Sequence, residues 1–105
     1  MKTSSFREIV EKIDPVFKNI KRYLVVSALV VFGPMTVSSL KKVLGFSYGE
    51  LDNHLRKLSE ENYIKLRKII TDEGPRTLVE LTEKGYKRYI EFSKVLHELY
   101  QKTFT

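Results

Sequence analysis

The stretch Ser47-Tyr48-Gly49-Glu50-Leu51-Asp52-Asn53-His54-Leu55-Arg56-Lys57-Leu58-Ser59-Glu60-Glu61-Asn62 decides the fold. Ser47 and Glu50 spell an S-x-x-E capping box, in which each side chain satisfies a backbone N–H of the other residue at a helix start. Leu51, Leu55 and Leu58 then recur with the spacing of an apolar stripe along one side of a helix. The pattern predicts an amphipathic helix of about four turns over 47–62. Its opposite side carries Tyr48, Asn53, Arg56 and Lys57, side chains able to reach phosphates or base edges.

Immediately upstream, Thr36 is placed to cap a helix over Val37 to Leu44, with Val37, Leu40, Val43 and Leu44 on one side and Lys41-Lys42 on the other. Gly45 suits the left-handed position that ends such a helix, and only Gly45-Phe46 precede the Ser47 cap. Two short helices joined by a tight glycine turn are the signature of a helix-turn-helix. The Ser47 helix is therefore predicted to read DNA, with Ser47, Tyr48, Gly49, Asn53, Arg56 and Lys57 as candidate contacts. Asn53 suits adenine and Arg56 suits guanine or a phosphate. His54, at the edge of the leucine stripe, is expected to pack inward and bond a backbone carbonyl.

Downstream, Tyr63 to Ile70 and Arg76 to Leu81 are rich in β-branched residues and flank Thr71-Asp72-Glu73-Gly74-Pro75, which predicts a β-hairpin. Ile64, Leu66 and Ile70 alternate with Lys65 and Arg67, but Lys68 breaks the alternation, so the far end is expected to project beyond the core. Lys65, Arg67, Lys68 and Arg76 are its candidate DNA contacts. Thr82 caps a last helix running to about Gln101, with Glu83 in its first turn and Gly85 allowing close packing there. Tyr86, Tyr89, Ile90, Phe92, Val95, Leu96, Leu99 and Tyr100 give this helix more apolar surface than a small core uses from one side. Part of it is expected to meet a second chain.

Toward the N-terminus, Ser5 and Glu8 form a second capping box, followed by Phe6, Ile9, Val10 and Ile13 at helical spacing. A short helix is predicted over about Ser5 to Ile13, ending at Asp14-Pro15. Asp14 as cap and Pro15 at the first position open the next helix, which is expected to reach Phe32 and stop at Gly33-Pro34. From Tyr23 onward it is apolar on nearly all sides, as a central buried helix would be.

With 105 residues, 42% hydrophobic and 30% charged, the chain fits one globular domain rather than a disordered segment. Its net charge of +6 favours a polyanionic partner. Residues 36–82 are nearly balanced, however, and their cations come in local clusters. Absence of cysteine excludes disulfides and thiolate metal sites. His54 and His97, far apart, make a poor metal pair, and no metal or cofactor is expected. The apolar run Tyr23 to Phe32 is too short to span a bilayer of ~30 Å and lacks the features of a signal sequence. No membrane association is expected and the default location is the cytoplasm. No nucleophile–base pair, phosphate loop or convergent carboxylate set suggests an enzyme.

The order of helix, helix, helix, hairpin and long closing helix is that of a winged helix-turn-helix, and the residues bear a likeness as well. Gly33-Pro34-Met35-Thr36-Val37-Ser38-Ser39-Leu40 with Leu44-Gly45-Phe46-Ser47 resembles the start of the helix-turn-helix in MarR-type and ArsR-type transcriptional regulators. His54-Leu55-Arg56-Lys57-Leu58 and Glu61-Asn62-Tyr63-Ile64 resemble their recognition helix running into the wing. Arg76 and Leu81-Thr82-Glu83-Lys84-Gly85 are similar to the returning strand and the junction after it. The resemblance covers about residues 20–90.

It implies an α+β, mainly α chain: a three-helix core plus two-stranded wing, with N- and C-terminal helices for dimerisation. On that plan residues 1–105 are one domain, with a core over about 15–82 and flanks at 1–14 and 83–105. The implied function is sequence-specific binding of double-stranded DNA by a homodimer. Helix 47–62 would lie in the major groove and wing 63–81 on the backbone or minor groove. Candidate dimer residues are Phe6, Ile9, Val10, Ile13, Tyr89, Phe92, Leu96, Leu99 and Tyr100. The resemblance also implies that Asp72 orients Arg76, and that Asn62 takes a left-handed conformation where glycine is common. Aromatic residues of the last helix would suit an effector pocket, but nothing in the sequence supports a small-molecule effector over plain dimer packing. The alternative is a winged-helix protein–protein module that makes no specific DNA contact.

Overall fold

The computed structural model describes residues 2–104. Its elements are α1 (Lys2–Glu11), a 3-10 turn (Pro15–Lys18), α2 (Ile20–Phe32), β1 (Met35–Thr36), α3 (Val37–Leu44), α4 (Tyr48–Glu60), β2 (Ile64–Thr71), β3 (Gly74–Leu81) and α5 (Glu83–Thr103). The strands form one antiparallel sheet in the order β1-β3-β2. A helical body extended by a β2–β3 hairpin is the winged-helix arrangement.

Helix α2 sits at the centre, packed on α3, α4, α5 and β3. Phe17, Val25, Val26, Leu40, Leu51, Leu58 and Val79 are the largest side chains fully removed from solvent. Phe17 organises an aromatic cluster, its ring 5.6 Å from Tyr23, 5.4 Å from Tyr63 and 5.5 Å from Phe92. Such edge and tilted contacts add about 0.5–1.5 kcal/mol per pair beyond the area they bury. Tyr63 also donates a hydrogen bond to Asp14 Oδ2 at 2.6 Å, while Asp14 Oδ1 accepts from the Val16 N–H at 2.8 Å. Burial, then the Asp14 hydrogen bond, raises the Tyr63 hydroxyl above its ordinary pKa. This buried contact ties the chain after α1 to the first residues of the wing.

The N-terminal third departs from the sequence expectation. Helix α1 begins at Lys2, so Ser5 lies inside it and the Ser5–Glu8 capping box does not form. The single helix expected from Pro15 to Phe32 is broken. Asp14 and Pro15 do open a helical turn, but it is a 3-10 turn of four residues. Asn19 then restarts the chain, its backbone extended and its side chain accepting from the Lys21 N–H at 3.0 Å. Arg22 Nε meanwhile donates to the Val16 carbonyl at 2.7 Å, an oxygen that a continuous helix would have used itself. Nor is α2 buried on all sides: Val25, Val26, Ala28 and Leu29 are inside, whereas Leu24 and Val31 are exposed.

Strand β1 lies outside the sequence expectation, because two residues carry no periodicity. Thr36 pairs with Leu78 across the sheet and also caps α3, accepting from the Ser39 N–H at 3.2 Å. The expected cap and turn residues elsewhere are in place. Gly33, Gly45 and Asn62 all have positive φ, with Asn62 at 62°. Beyond Asn62, the Thr82 hydroxyl donates to the Asn62 carbonyl at 2.7 Å and accepts from the Gly85 N–H at 2.9 Å. A Cβ on Gly85 would stand 2.1 Å from the Tyr63 carbonyl oxygen. Only glycine lets α5 start against the junction between α4 and the wing.

The hairpin turn is tighter than expected. Thr71 pairs with Gly74, leaving Asp72-Glu73 as a two-residue turn, with Gly74 at φ 101°. Arg76 donates to the Pro75 carbonyl at 2.8 Å and makes no ion pair with Asp72, so the expected aspartate–arginine orientation is absent. As expected, the hairpin leaves the core: Ile64 is buried but Leu66 is exposed and Ile70 more so. The described residues extend over 58 × 23 × 22 Å, with a radius of gyration of 15.8 Å. A compact chain of this length would have about 13 Å. Besides the wing, the excess reflects α5, whose last turn carries exposed Tyr100 and is followed by exposed Phe104.

Candidate nucleic-acid interface

Helix α4 is held from behind and from its first turn. Leu51, Leu55 and Leu58 face the core, and the capping box is complete: Glu50 N–H to Ser47 Oγ at 3.2 Å and Ser47 N–H to Glu50 Oε1 at 3.3 Å. Lys21 of α2 pairs with the second oxygen of Glu50 and lies 5.3 Å from the centre of the Phe46 ring. The Lys21 contact first, and the Ser47 backbone second, hold the Glu50 carboxyl below its ordinary pKa. Glu50 thus anchors α4 to α2. His54 is buried on the same inner side, its ring 6.2 Å from that of Phe46. Its Nδ1 has no hydrogen-bond partner, so the expected backbone carbonyl contact is not made.

The outer face of α4 carries Tyr48, Gly49, Asp52, Asn53 and Arg56, all exposed. Lys41 Nζ lies 4.9 Å from the centre of the Tyr48 ring, which draws the end of α3 to the start of α4. No atom lies within 4 Å of a Cβ built on Gly49, so that position opens to solvent. Arg56 is held twice: Nη2 donates to Asn53 Oδ1 at 2.7 Å and sits 3.5 Å from Asp52 Oδ2. Lys57 pairs with Glu61 at 3.6 Å. Ser47 uses its side chain as the cap.

Between this face and the wing runs an open groove of about 960 Å³. From the candidate contacts it brings together Tyr48, Arg56, Arg67, Lys68 and Arg76; Ser47, Gly49, Asn53, Lys57 and Lys65 lie outside its lining. It adds Ser38 and Lys42 of α3, Asp52 of α4 and Thr77 of β3, which are not among the candidate contacts, although Asp52 is an acid on the reading helix able to accept from a cytosine amino group. The signal for Ser38 and Lys42 was present, since i and i+4 share a helix face. Most wing cations are partnered. Arg67 Nε donates to Glu80 Oε1 at 2.9 Å, and Lys68 Nζ donates to the Thr77 hydroxyl at 3.3 Å. The Arg67–Glu80 hydrogen bond raises the arginine pKa and lowers that of the glutamate. Acidic Asp52, Glu60 and Glu73 share the lining with the cations. Among the described residues no group of three or more His, Asp or Glu is placed to hold a metal ion.

A helix with a polar outer face, flanked by a cationic hairpin over one continuous groove, is the surface with which winged helices meet nucleic acid. The winged helix DNA-binding domain profile matches residues 21–100. The chain belongs to this family. A transcriptional regulator homologue from Pyrococcus horikoshii OT3 is 29% identical and superimposes with a TM-score of 0.82, over 92% of this chain and 94% of its own. A MarR family transcriptional regulator from Streptomyces coelicolor, Sco5413, shares the fold at 18% identity and a TM-score of 0.72, over 90% of this chain and 65% of its own. The uncharacterized protein MJ0432 of Methanocaldococcus jannaschii is 27% identical over 78 residues, 71% of this chain and 85% of that protein. The chain thus carries a winged-helix DNA-binding domain, and its fold is shared with MarR family regulators. Among the described residues no helix is long and apolar enough to cross a membrane.

Proposed function

We propose that residues 1–105 act as one domain that dimerises and binds a pseudo-palindromic duplex sequence-specifically, in the cytoplasm and without catalysis. The observation that carries this is the outward face of α4, where Tyr48, Asn53 and Arg56 are exposed beside a groove that Lys42, Arg67, Lys68 and Arg76 also line. The N-terminal turn of α4 and its outward side chains enter the major groove, and the wing cations contact backbone phosphates or the minor groove. Dimer contact falls to the outer apolar surface of α1 and α5. Phe6, Val10 and Tyr100 are exposed, as is Phe104, the residue that follows α5. Ile13, Tyr89, Leu96 and Leu99 are half-buried, whereas Ile9 and Phe92 are already enclosed by their own chain.

Selection of bound sequences from a random duplex pool at near-physiological salt tests the reading, with light scattering on the same sample. The expected product is a two-fold related sequence whose half-sites lie one helical turn apart, about 34 Å, bound by a dimer. Its affinity falls with salt by roughly 0.9 log units per log unit for each phosphate contacted. Arg56→Ala weakens binding by about 1–3 kcal/mol, concentrated at one base pair if Arg56 reads a base. A folded monomer with no salt-dependent duplex binding would overturn the proposal and favour a protein–protein module.

A further inference from the structure

We infer that Asp52 is a specificity-determining residue: it holds Arg56 in place and accepts a hydrogen bond from an exocyclic base amino group in the major groove. The inference rests on the DNA-reading role proposed for α4. Asp52 stands mid-way along the outer face, its side chain 79% exposed, and lines the groove beside Arg56. The fold does not account for it. Aspartate is among the poorer helix formers in a helix interior, and an exposed pair with Arg56 at 3.5 Å contributes little to stability. Nor does general attraction to DNA, because a carboxylate at the centre of this face repels phosphates and cancels the charge of Arg56.

What a carboxylate here does supply is a charged acceptor one turn before Arg56, closer to the start of α4 than Glu60, the other acid of α4 that lines the groove. In the major groove this acceptor pairs with cytosine N4 or adenine N6, the two amino groups presented there. Arg56, one helical turn away, is the complementary donor for guanine O6 and N7. The Asn53 carbonyl oxygen at 2.7 Å and the Asp52 carboxylate at 3.5 Å hold the guanidinium at two points, so less freedom is lost when it meets a base. The Asp52–Arg56 pair is neutral as a unit. It therefore withholds affinity from random sequence and returns it only where an amino group faces the carboxylate.

The test compares the full chain with Asp52→Asn and Asp52→Ala, whose folding is checked by circular dichroism, using pool selection and binding to a random-sequence duplex at fixed salt. Both variants are expected to bind random duplex severalfold more tightly and to lose about tenfold of the preference at one or two base pairs. Whether cytosine or adenine was preferred there by the parent chain identifies the amino group. Tighter binding with an unchanged base profile would overturn the inference, reducing Asp52 to a general repulsive charge. Unchanged affinity and profile would overturn it too. A parent chain that binds no duplex would instead remove the underlying reading, an outcome visible before any variant is made.

Discussion

Helix α4 and the outer half of the wing present cations to the same groove from different foundations. Leu51 and Leu58 of α4 are at 0% exposure, and the helix start is fixed by a capping box and by Lys21. The wing tip has no such backing. Ile70 is 83% exposed, and beyond the core the two strands depend on their mutual ladder, the exposed Arg67–Glu80 and Lys68–Thr77 contacts and the Thr71 turn contacts. Under the proposed function this divides the work. Base readout needs side chains held to a fraction of an ångström, which a helix bolted to the core provides, while phosphate contacts tolerate a ribbon that shifts.

The largest expected effect comes from removing that backing. Leu58→Ala leaves a cavity under α4 and should destabilise the fold by about 2–5 kcal/mol. Ile70→Ala, equally apolar but on the open wing, should stay within about 0.5 kcal/mol. Urea unfolding of the two variants checks this. Similar losses for both would mean that the wing is anchored as firmly as α4, and the contrast would fail.

The same contrast governs what the sequence revealed. The leucine spacing, the Ser47–Glu50 box, Gly45, Asn62 and Thr82 are local signals, and each element they mark is where they place it. Ser5–Glu8 is an equally good box that goes unused, because α1 starts upstream and packs on α5. A capping motif says where a helix is able to start, and tertiary packing decides whether it does. The break at Asn19 and the strand Met35–Thr36 depend on the Arg22–Val16 contact and on pairing with β3, both invisible to local periodicity. For the candidate site, sequence reasoning found the outward face of α4 and the wing cations. It missed that Arg56, Lys57 and Arg67 have acidic partners, which follows from where side chains point.

A second prediction concerns the inner side of α4. His54 is buried with an unpartnered Nδ1; burial first, then the nearby charges of Arg22 and Lys21, lowers its pKa, with Glu50 opposing them. Well above pH 6.5 the histidine is neutral in both folded and unfolded chains, so it adds no pH dependence there. As the pH falls below that value, the unfolded chain takes up the proton first, and stability declines until the folded histidine also protonates. The slope from this group cannot exceed about 1.4 kcal/mol per pH unit. His54→Leu should abolish that part of the decline in urea midpoints measured from pH 8 to pH 5.5. An unchanged slope in the variant would show that the histidine is not shielded and that the backing of α4 is looser than its burial implies.

The smallest effect separates stability from binding at a single position on the outer side. Gly49 lies in the first turn of α4 with nothing within 4 Å of a Cβ built there, and its φ is not positive. The isolated protein thus gives no steric reason for glycine, and Gly49→Ala should stabilise the helix by about 0.5–1 kcal/mol. If the N-terminal turn of α4 docks against DNA, the added methyl group stands between backbone and duplex, and affinity for the selected sequence should fall severalfold. Opposite signs for stability and binding would fix this turn at the interface. A variant that is more stable and binds equally well would move the contact away from Gly49 toward Arg56, and with it the point where the helix enters the groove.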